Sequence, residues 1–285
     1  MTAKELFDKI KSVLSEKSID NYENEAYFII EKALNVTRTQ LLFKLGDTVN
    51  EEEKVLAHSI TKKRISGVPI QYCIGEWDFF GETYNVGPGV LIPRPETEEL
   101  CEIVINELKN KSGAVVFDLC SGSGCIGITV KNNVPDSKVY LVEKSEEALI
   151  YLRQNVEKLC GSQNIEVIQG DVLNLKDFDS LTIEADVIVS NPPYIKSEEI
   201  AELQSEVQKE PLMALNGGKD GYDFYRVICG KWHNHLKKGG LIAFECGENQ
   251  AEYICDLFDK ELFSTKICKD IYGVDRFVLG RMKAL

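Results

Sequence analysis

The sequence predicts an α/β protein in which a mostly parallel sheet, covered by helices on both faces, follows a small helical bundle. Three observations predict this fold. Apolar residues recur at helical spacing through the first 70 residues. Beyond residue 96, short apolar and β-branched runs alternate with helical patterns, as in the βαβ units of parallel sheets. A glycine-rich loop follows the first of these runs, where an open sheet binds its ligand.

The N-terminal part is predicted to be a helical bundle. Helical spacing of apolar residues is clear in residues 4–16 and 24–35, and Asn50 before three glutamates predicts a capped helix. We predict that residues 1–70 form a domain that docks the substrate. The basic run Lys62-Lys63-Arg64 at its far end is either a solvated helix end or part of that docking surface.

A linker over residues 71–95 joins this bundle to the rest of the chain. Its aromatic residues and glycines predict a β-hairpin. Near its end two prolines flank Arg94, which is either a surface ion-pair partner or one wall of a cofactor cleft. Thr97 is expected to cap a helix that begins at Glu98.

The catalytic domain is predicted over residues 96–285. Its strands are expected at residues 114–119, 138–143, 165–168, 185–190 and 241–246. A final hairpin of residues 264–269 and 276–280 would lie at one edge of the sheet.

A glycine-rich loop follows the first predicted strand of this domain and opens a helix. It reads Asp118-Leu119-Cys120-Ser121-Gly122-Ser123-Gly124-Cys125-Ile126-Gly127. The GxGxxG spacing lets the backbone approach a ligand, and it fits both NAD and S-adenosylmethionine. Asp118 favours the second, because a carboxylate suits a cationic amino and sulfonium end, whereas a pyrophosphate would gain nothing from it.

Acidic residues end the next two predicted strands. Glu143 is placed to accept hydrogen bonds from a ribose diol. Asp171 would accept from an adenine amino group and Val172 would pack on the adenine ring. An ordinary turn at a strand end explains Asp171 equally well.

The most specific motif is Asn191-Pro192-Pro193-Tyr194, directly after the strand of residues 185–190. The two prolines lack N–H groups and stiffen the chain. The Asn191 side-chain oxygen and the Pro192 carbonyl would accept the two hydrogens of a planar amide or amine, with the Tyr194 ring against it. An Asx-Pro turn is the alternative. The whole tetrapeptide after an apolar strand resembles the signature of methyltransferases that act on planar nitrogens.

Composition limits the substrate class and the compartment. The net charge is −13, and residues 76–285 carry 22 basic and 35 acidic residues, which weighs against a nucleic-acid substrate. Nine cysteines without metal-ligand spacing, and the lack of a secretory signal, predict reduced thiols, no metal site and a cytoplasmic protein. No apolar stretch approaches the roughly 20 residues that span a bilayer. We expect a monomer.

Over nearly all of its 285 residues the chain resembles the HemK/PrmC family of peptide chain release factor N5-glutamine methyltransferases. The motifs that carry the resemblance are Gly67-Val68-Pro69-Ile70-Gln71-Tyr72, Gly75-Glu76-Trp77-Asp78-Phe79-Phe80-Gly81, Leu91-Ile92-Pro93-Arg94-Pro95-Glu96-Thr97-Glu98 and Asn191-Pro192-Pro193-Tyr194-Ile195.

The resemblance implies a class I, Rossmann-like methyltransferase sheet of seven strands, one of them antiparallel. It also implies methyl transfer from S-adenosylmethionine to the glutamine of the Gly-Gly-Gln motif in class-1 release factors, with S-adenosylhomocysteine as the second product. One departure is visible. The family's loop usually reads Gly-Thr-Gly-Thr-Gly, and this chain has Cys120-Ser121-Gly122-Ser123-Gly124. Cys120 suits a tight turn unless its φ must be positive.

Other functions remain as alternatives. An N6-adenine methyltransferase acting on DNA or RNA would share Asn191-Pro192-Pro193-Tyr194 but should have a basic cleft. A non-catalytic S-adenosylmethionine-binding module would bind the cofactor and methylate nothing. A nicotinamide dehydrogenase is disfavoured, because the histidines are badly placed for hydride transfer.

Overall fold

A computed structural model describes residues 1–161, 163–178 and 181–284. The chain forms two compact units. The first contains Met1–Glu76 and, from a later part of the chain, Ser205–Lys209. The second contains Trp77–Gln204 and the chain from Glu210 onwards. The domain predicted over residues 96–285 ends at a residue that lies outside the described part.

The first unit is helical. Its helices are α1 (Ala3–Glu16), α2 (Tyr22–Leu34), α3 (Arg38–Lys44), α4 (Glu51–Ile65) and α5 (Ile70–Ile74). Three of them begin with reciprocal capping boxes, at Thr2, Thr37 and Asn50. The apolar faces of α1 and α2 meet in a core that includes Leu6 and Ile29, both fully buried. The helices expected after residues 4, 24 and 50 are thus present, whereas the short α3 and α5 were not predicted.

Arg64 departs from the surface position expected for the basic run. Its side chain is buried in the first unit, and its guanidinium donates to both carboxylate oxygens of Glu25, at 2.5 and 3.0 Å. It also donates to Glu206 at 2.5 Å. Lys62 and Lys63 are exposed. Arg64 is therefore an internal ion-pair partner, and the prediction that it lies at a solvated end or on a docking surface is wrong.

The second unit is built on one sheet of seven strands. A separate hairpin, β1 (Glu76–Phe79) and β2 (Glu82–Asn85), precedes it. The sheet strands are β3 (Val115–Leu119), β4 (Lys138–Glu143), β5 (Ile165–Gln169), β6 (Ala185–Ser190), β7 (Leu236–Glu245), β8 (Phe263–Lys269) and β9 (Asp275–Met282). Their order is β5-β4-β3-β6-β7-β9-β8. Only β9 runs antiparallel to its neighbours within the described residues, which confirms the predicted fold class.

Helices cover both faces of this sheet. They are α6 (Pro95–Leu108), α7 (Cys125–Asn133), α8 (Glu146–Leu159), α9 (Leu212–Leu215), α10 (Asp223–Lys231) and α11 (Ala251–Leu257). Strand β3 shows why both faces need a cover. Its Val116 packs in a core with α6, α7 and α8, and its Phe117 packs in a second core with α10 and α11.

The connectivity of the sheet sets the position of the site. After β3 the chain builds outward through β4 and β5, then returns so that β6 pairs with the other side of β3. Ligands of open α/β sheets bind outside the carboxyl ends of strands at such a reversal. The loop after β3 and the tetrapeptide after β6 therefore meet at one edge. None of the described helices combines the length and apolar character that a membrane span requires.

Candidate active site

A cleft opens at the carboxyl ends of β3 and β6. The predicted site residues that line it are Arg94, Cys120, Ser121, Gly122, Ser123, Glu143, Asp171, Val172, Asn191 and Pro193. Four other predicted site residues, Asp118, Gly124, Pro192 and Tyr194, are not among its lining residues. The fold thus brings ten of the predicted residues around one space.

The glycine loop is held by its own hydrogen bonds. The Ser121 hydroxyl donates to the carbonyl oxygen of Asp118 at 2.7 Å, and the Ser121 N–H donates to that of Val142 at 3.0 Å. Gly124, with φ +82°, precedes α7, and a Cβ added there would lie 2.4 Å from Leu152. A side chain at position 124 is disfavoured both by the backbone and by this contact with α8.

Cys120 adopts a left-handed backbone with φ +61°. The family usually has glycine at this position. A positive φ disfavours a residue with a side chain, so the replacement of glycine by cysteine has a conformational cost here. The cysteine lines the cleft, and burial raises the pKa of its thiol well above the ordinary value. The thiol is therefore protonated at neutral pH and offers the cleft a small, uncharged, polarisable surface.

Asp118 lies beneath the loop. It is fully buried, and its Oδ2 accepts the Gly127 N–H at 2.9 Å. Its Oδ1 has no hydrogen-bond partner within the described residues. Burial raises the pKa of Asp118 to about 7, against the lowering effect of the Gly127 hydrogen bond. These contacts hold the start of α7, and direct contact between Asp118 and a cofactor stays a prediction.

Glu143 ends β4 and faces the cleft. Its Oε2 accepts the Gly122 N–H at 2.8 Å and its Oε1 accepts the Ser145 N–H at 2.7 Å. Burial raises the pKa of Glu143, and these backbone hydrogen bonds oppose the change. The carboxylate is thus anchored with remaining lone pairs available to a ligand.

Asp171 and Val172 follow β5. The carboxylate of Asp171 accepts the Leu173 N–H at 2.9 Å and pairs with Lys144 at 2.8 Å. Val172 is buried, and its carbonyl accepts the indole N–H of Trp232 at 3.1 Å. An acidic group and a fixed apolar side chain thus stand side by side in the cleft wall.

The proline-stiffened tetrapeptide begins directly after β6. Pro193 lines the cleft, and no hydrogen bond from the described residues reaches the Pro192 carbonyl. The Tyr194 carbonyl accepts from the Gln250 side chain at 3.0 Å, and a Cβ added at Gly247 would lie 3.0 Å from the Tyr194 ring. Burial raises the pKa of the Tyr194 phenol to about 12. The Tyr194 ring therefore packs against Gly247, and its stacking on a substrate stays a prediction.

Asn191 is held by two residues to which sequence reasoning assigned no part in the site. Its Nδ2 donates to the Thr97 hydroxyl at 3.2 Å, and that hydroxyl donates to Glu245 Oε2 at 2.7 Å. Thr97 does not cap a helix beginning at Glu98, because α6 already begins at Pro95. The signal that could have found Glu245 is its place at the end of β7, next to β6.

Arg94 lines the cleft and also forms an ion pair, so features of both interpretations are present, and its contact with a cofactor stays a prediction. Its guanidinium pairs with Glu210, whose other oxygen accepts the Ile92 N–H at 3.1 Å. Glu210 is buried, and Arg94 is about one third exposed. The ion pair fixes the segment before α6 against the chain that leads into α9.

Comparison with known proteins places this chain in a family. A family model of the PrmC N-terminal domain matches residues 5–75, and a model of the methyltransferase small domain matches residues 96–218. A release factor glutamine methyltransferase of Thermodesulfovibrio yellowstonii is 36% identical over 283 residues, which are 98% of this chain and 99% of the relative. One from Clostridium botulinum is 34% identical over 99% of each chain.

Solved structures share the fold at low identity. The hMettl16 catalytic domain, in complex with an RNA hairpin, has a TM-score of 0.56 at 15% identity and 83% coverage of both chains. A methyltransferase of Pyrococcus furiosus has a TM-score of 0.53 at 21% identity, covering 72% of this chain and 91% of its own. These likenesses show the methyltransferase fold alone.

Proposed function

This chain belongs to the release factor glutamine methyltransferase family, and from that membership we propose its reaction. It transfers a methyl group from S-adenosylmethionine to the side-chain amide nitrogen, N5, of the glutamine in the Gly-Gly-Gln motif of class-1 peptide chain release factors. The observation that carries the proposal is the tip after β6. There Asn191 enters a cleft with its amide nitrogen already bonded to Thr97.

The residues of the cleft fit S-adenosylmethionine. Glu143 and Asp171 present acceptors, suited to ribose hydroxyls and an adenine amino group, at the ends of neighbouring strands. Val172 offers an apolar surface to a ring. Beneath the loop, Asp118 Oδ1, which has no hydrogen-bond partner among the described residues, adds an acidic group that favours a cationic ligand. Calorimetry with S-adenosylmethionine tests this cofactor directly.

In this mechanism the protein contributes alignment of the amide nitrogen more than a strong base. An amide nitrogen is a weak nucleophile, because its lone pair is delocalised into the carbonyl. When bound, S-adenosylmethionine supplies an electrophilic methyl group on a positively charged sulfur. Asn191 Oδ1 and the Pro192 carbonyl accept the two amide hydrogens of the glutamine. This holds the nitrogen in place and favours the positive charge that develops on it.

The remaining residues of the tip restrict the positions of the two acceptors, Asn191 Oδ1 and the Pro192 carbonyl. Pro192 and Pro193 restrict the backbone, and the Tyr194 carbonyl is tied to Gln250. Water near the open cleft takes the proton that the methylated amide releases. No side chain of the cleft is needed as a strong base.

We propose that the helical N-terminal domain docks the release factor and that the enzyme acts as a monomer. The acidic excess of residues 76–285 disfavours a nucleic-acid substrate. All nine cysteines are free, which suits a reducing compartment such as the cytoplasm.

The proposed function is tested by incubating the protein with labelled S-adenosylmethionine and a class-1 release factor, followed by peptide mapping. Label on the Gly-Gly-Gln glutamine supports the proposal, and a release factor with that glutamine replaced by alanine is the control. A parallel incubation with DNA and RNA oligonucleotides tests the adenine alternative. Label on adenine alone would contradict the proposal.

A further inference from the structure

Two buried polar side chains stand behind Asn191. Thr97 on α6 is 2% exposed and Glu245 at the end of β7 is 3% exposed. At that burial their polar atoms must find partners inside the protein. The Thr97 hydroxyl lies 2.7 Å from Glu245 Oε2 and 3.2 Å from Asn191 Nδ2. The three side chains form one continuous chain of hydrogen bonds.

The negative charge of the Glu245 carboxylate sets the donor and acceptor roles along these hydrogen bonds. An ionised carboxylate only accepts hydrogen bonds, so the single hydroxyl hydrogen of Thr97 is directed to Glu245. The Thr97 oxygen can then only accept from Asn191, and it selects the N–H edge of the carboxamide. The other edge, Oδ1, is left free to turn towards the cleft.

We propose that Thr97 and the ionised Glu245 carboxylate are positioning residues that hold Asn191 with its side-chain oxygen towards the cleft. The inference rests on the proposed function, because a substrate amide with two hydrogens requires acceptors and not a donor at this point. Without the Thr97 hydroxyl and the ionised carboxylate behind it, the Asn191 carboxamide is free to turn over and present its N–H edge. A second donor would then face the donors of the substrate.

Protonation of Glu245 allows the hydrogen bonds of Thr97 to reverse. A neutral carboxyl group can donate to Thr97, which frees the Thr97 hydroxyl to donate to Asn191 Oδ1 and turn the carboxamide over. Burial raises the pKa of Glu245 to about 7, while the Thr97 hydrogen bond, Arg276 and a hydrogen bond with the Asn191 side chain oppose the rise. Because the protonated form predominates below that pKa, turnover should fall as the pH is lowered from 8 to 6.

Other titratable groups surround Glu245 on every element packed against it. Besides its chain neighbour Cys246, they are Glu96, Cys101, Cys125, Tyr194, Tyr225 and Arg276. Burial raises the pKa values of the three cysteines and both tyrosines, so these groups stay neutral between pH 6 and 8. Arg276 donates to the Cys246 carbonyl at 2.9 Å and pairs with Asp270. Besides the link through Thr97, the Asn191 side chain itself lowers the pKa of Glu245, so the carboxylate favours the N–H edge of Asn191 both through Thr97 and directly.

The test compares Thr97→Val, which has the same shape without the hydroxyl, with Thr97→Ser, which keeps the hydroxyl. Turnover of a class-1 release factor is measured at saturating S-adenosylmethionine, with cofactor affinity measured by calorimetry. We expect T97V to lower kcat by about 10- to 100-fold through misorientation, with KM and cofactor affinity nearly unchanged. T97S should turn over close to the wild-type rate.

Wild-type turnover by T97V, or an equal loss in T97S and T97V, overturns the inference. If T97V does not fold, the pH profile of kcat decides. We expect an acidic limb near pH 7 in the wild type that is weaker in Glu245→Gln, because Asp118, whose pKa is also about 7, is present in both proteins. Identical pH profiles of relative kcat overturn the assignment. Failure of the proposed function is a separate result, because the wild-type protein would then transfer no methyl group to the release factor.

Discussion

At the scale of single residues, Cys120 combines a functional position with an unfavourable backbone. It lines the cleft at φ +61°, a conformation that costs a side-chain-bearing residue about 1–2 kcal/mol. The cysteine persists there because the hydrogen bonds of Ser121 and the packing of Gly124 fix the loop that follows it. Position 120 therefore stores strain that a glycine would relieve.

We predict that Cys120→Gly leaves the free energy of unfolding unchanged or raises it by about 1 kcal/mol, because relief of strain outweighs the added flexibility of the unfolded chain. Urea unfolding measures this change. The matched control is Cys125→Gly at the start of α7, where φ is not positive. This variant should be destabilised by about 1 kcal/mol or more. Equal destabilisation of both variants would show that residue 120 is not strained.

The site residues divide into those that local sequence identifies and those that only the fold brings together. Glu143 and Asn191 were predictable because the first ends and the second directly follows a strand whose apolar run is plain in the sequence. The contact between Thr97 and Glu245 joins residues 148 positions apart. Nothing local to either residue indicates it, and a capping role for Thr97 was the simpler interpretation.

At the scale of elements, six of the seven sheet strands lie within two residues of their predicted bounds. Strands β4 and β6 have the predicted bounds, because turn-forming residues border their buried apolar runs. Strand β7 begins at Leu236 and not at 241. Lys237-Lys238-Gly239-Gly240 has the composition of a turn, yet Leu236 pairs with Ala185 across a register irregularity. Pairing with β6 overrides the local preference there.

Helix α6 and strand β9 are joined by an ion pair whose stability should depend on pH. Arg281 donates to both oxygens of Glu107, at 2.8 and 2.5 Å, and lowers the pKa of that carboxyl to about 2. Because the folded pKa lies below the ordinary value of 4.5, the pair stabilises the protein above that pH. The contribution is lost as the pH falls towards 2.

We therefore predict that Glu107→Gln is less stable than the wild type at pH 7 and that the difference shrinks as the pH falls from about 4.5 towards 3. Urea unfolding at a series of pH values measures it. Glu102→Gln, at an exposed position of the same helix, is the control and should show no such pH-dependent gap. A gap in E107Q that stays constant down to pH 3 would contradict the account.

At the scale of the whole molecule, a short segment from the later part of the chain belongs to the first unit. The sequence gives no sign of this, because Ser205–Lys209 carries no helical pattern or motif of its own. Its Glu206 joins the buried pair of Arg64 and Glu25. A boundary drawn along the sequence thus misses a piece of chain that belongs to the N-terminal unit.

Removing the cation from this group should destabilise the first unit. We expect Arg64→Ala to lower its free energy of unfolding by about 3–5 kcal/mol, because Glu25 is left buried without its partner. Hydrogen exchange in α2 and α4 reports the loss locally. Lys63→Ala, at the exposed neighbouring position, should change stability by less than about 0.5 kcal/mol. Equal exchange in both variants would mean that the buried pair is not essential to the unit.

Methyl transfer by this protein depends on the strand tip after β6, which aligns the glutamine amide in the proposed reaction. The most direct measurement is the single-turnover methylation rate of a class-1 release factor by Asn191→Ala, at saturating cofactor and substrate. The predicted result is a rate lower by about 10²- to 10³-fold with unchanged affinity for S-adenosylmethionine. Asn106→Ala, at an exposed position of α6, should match the wild type. A rate for N191A close to that of the wild type would contradict the account.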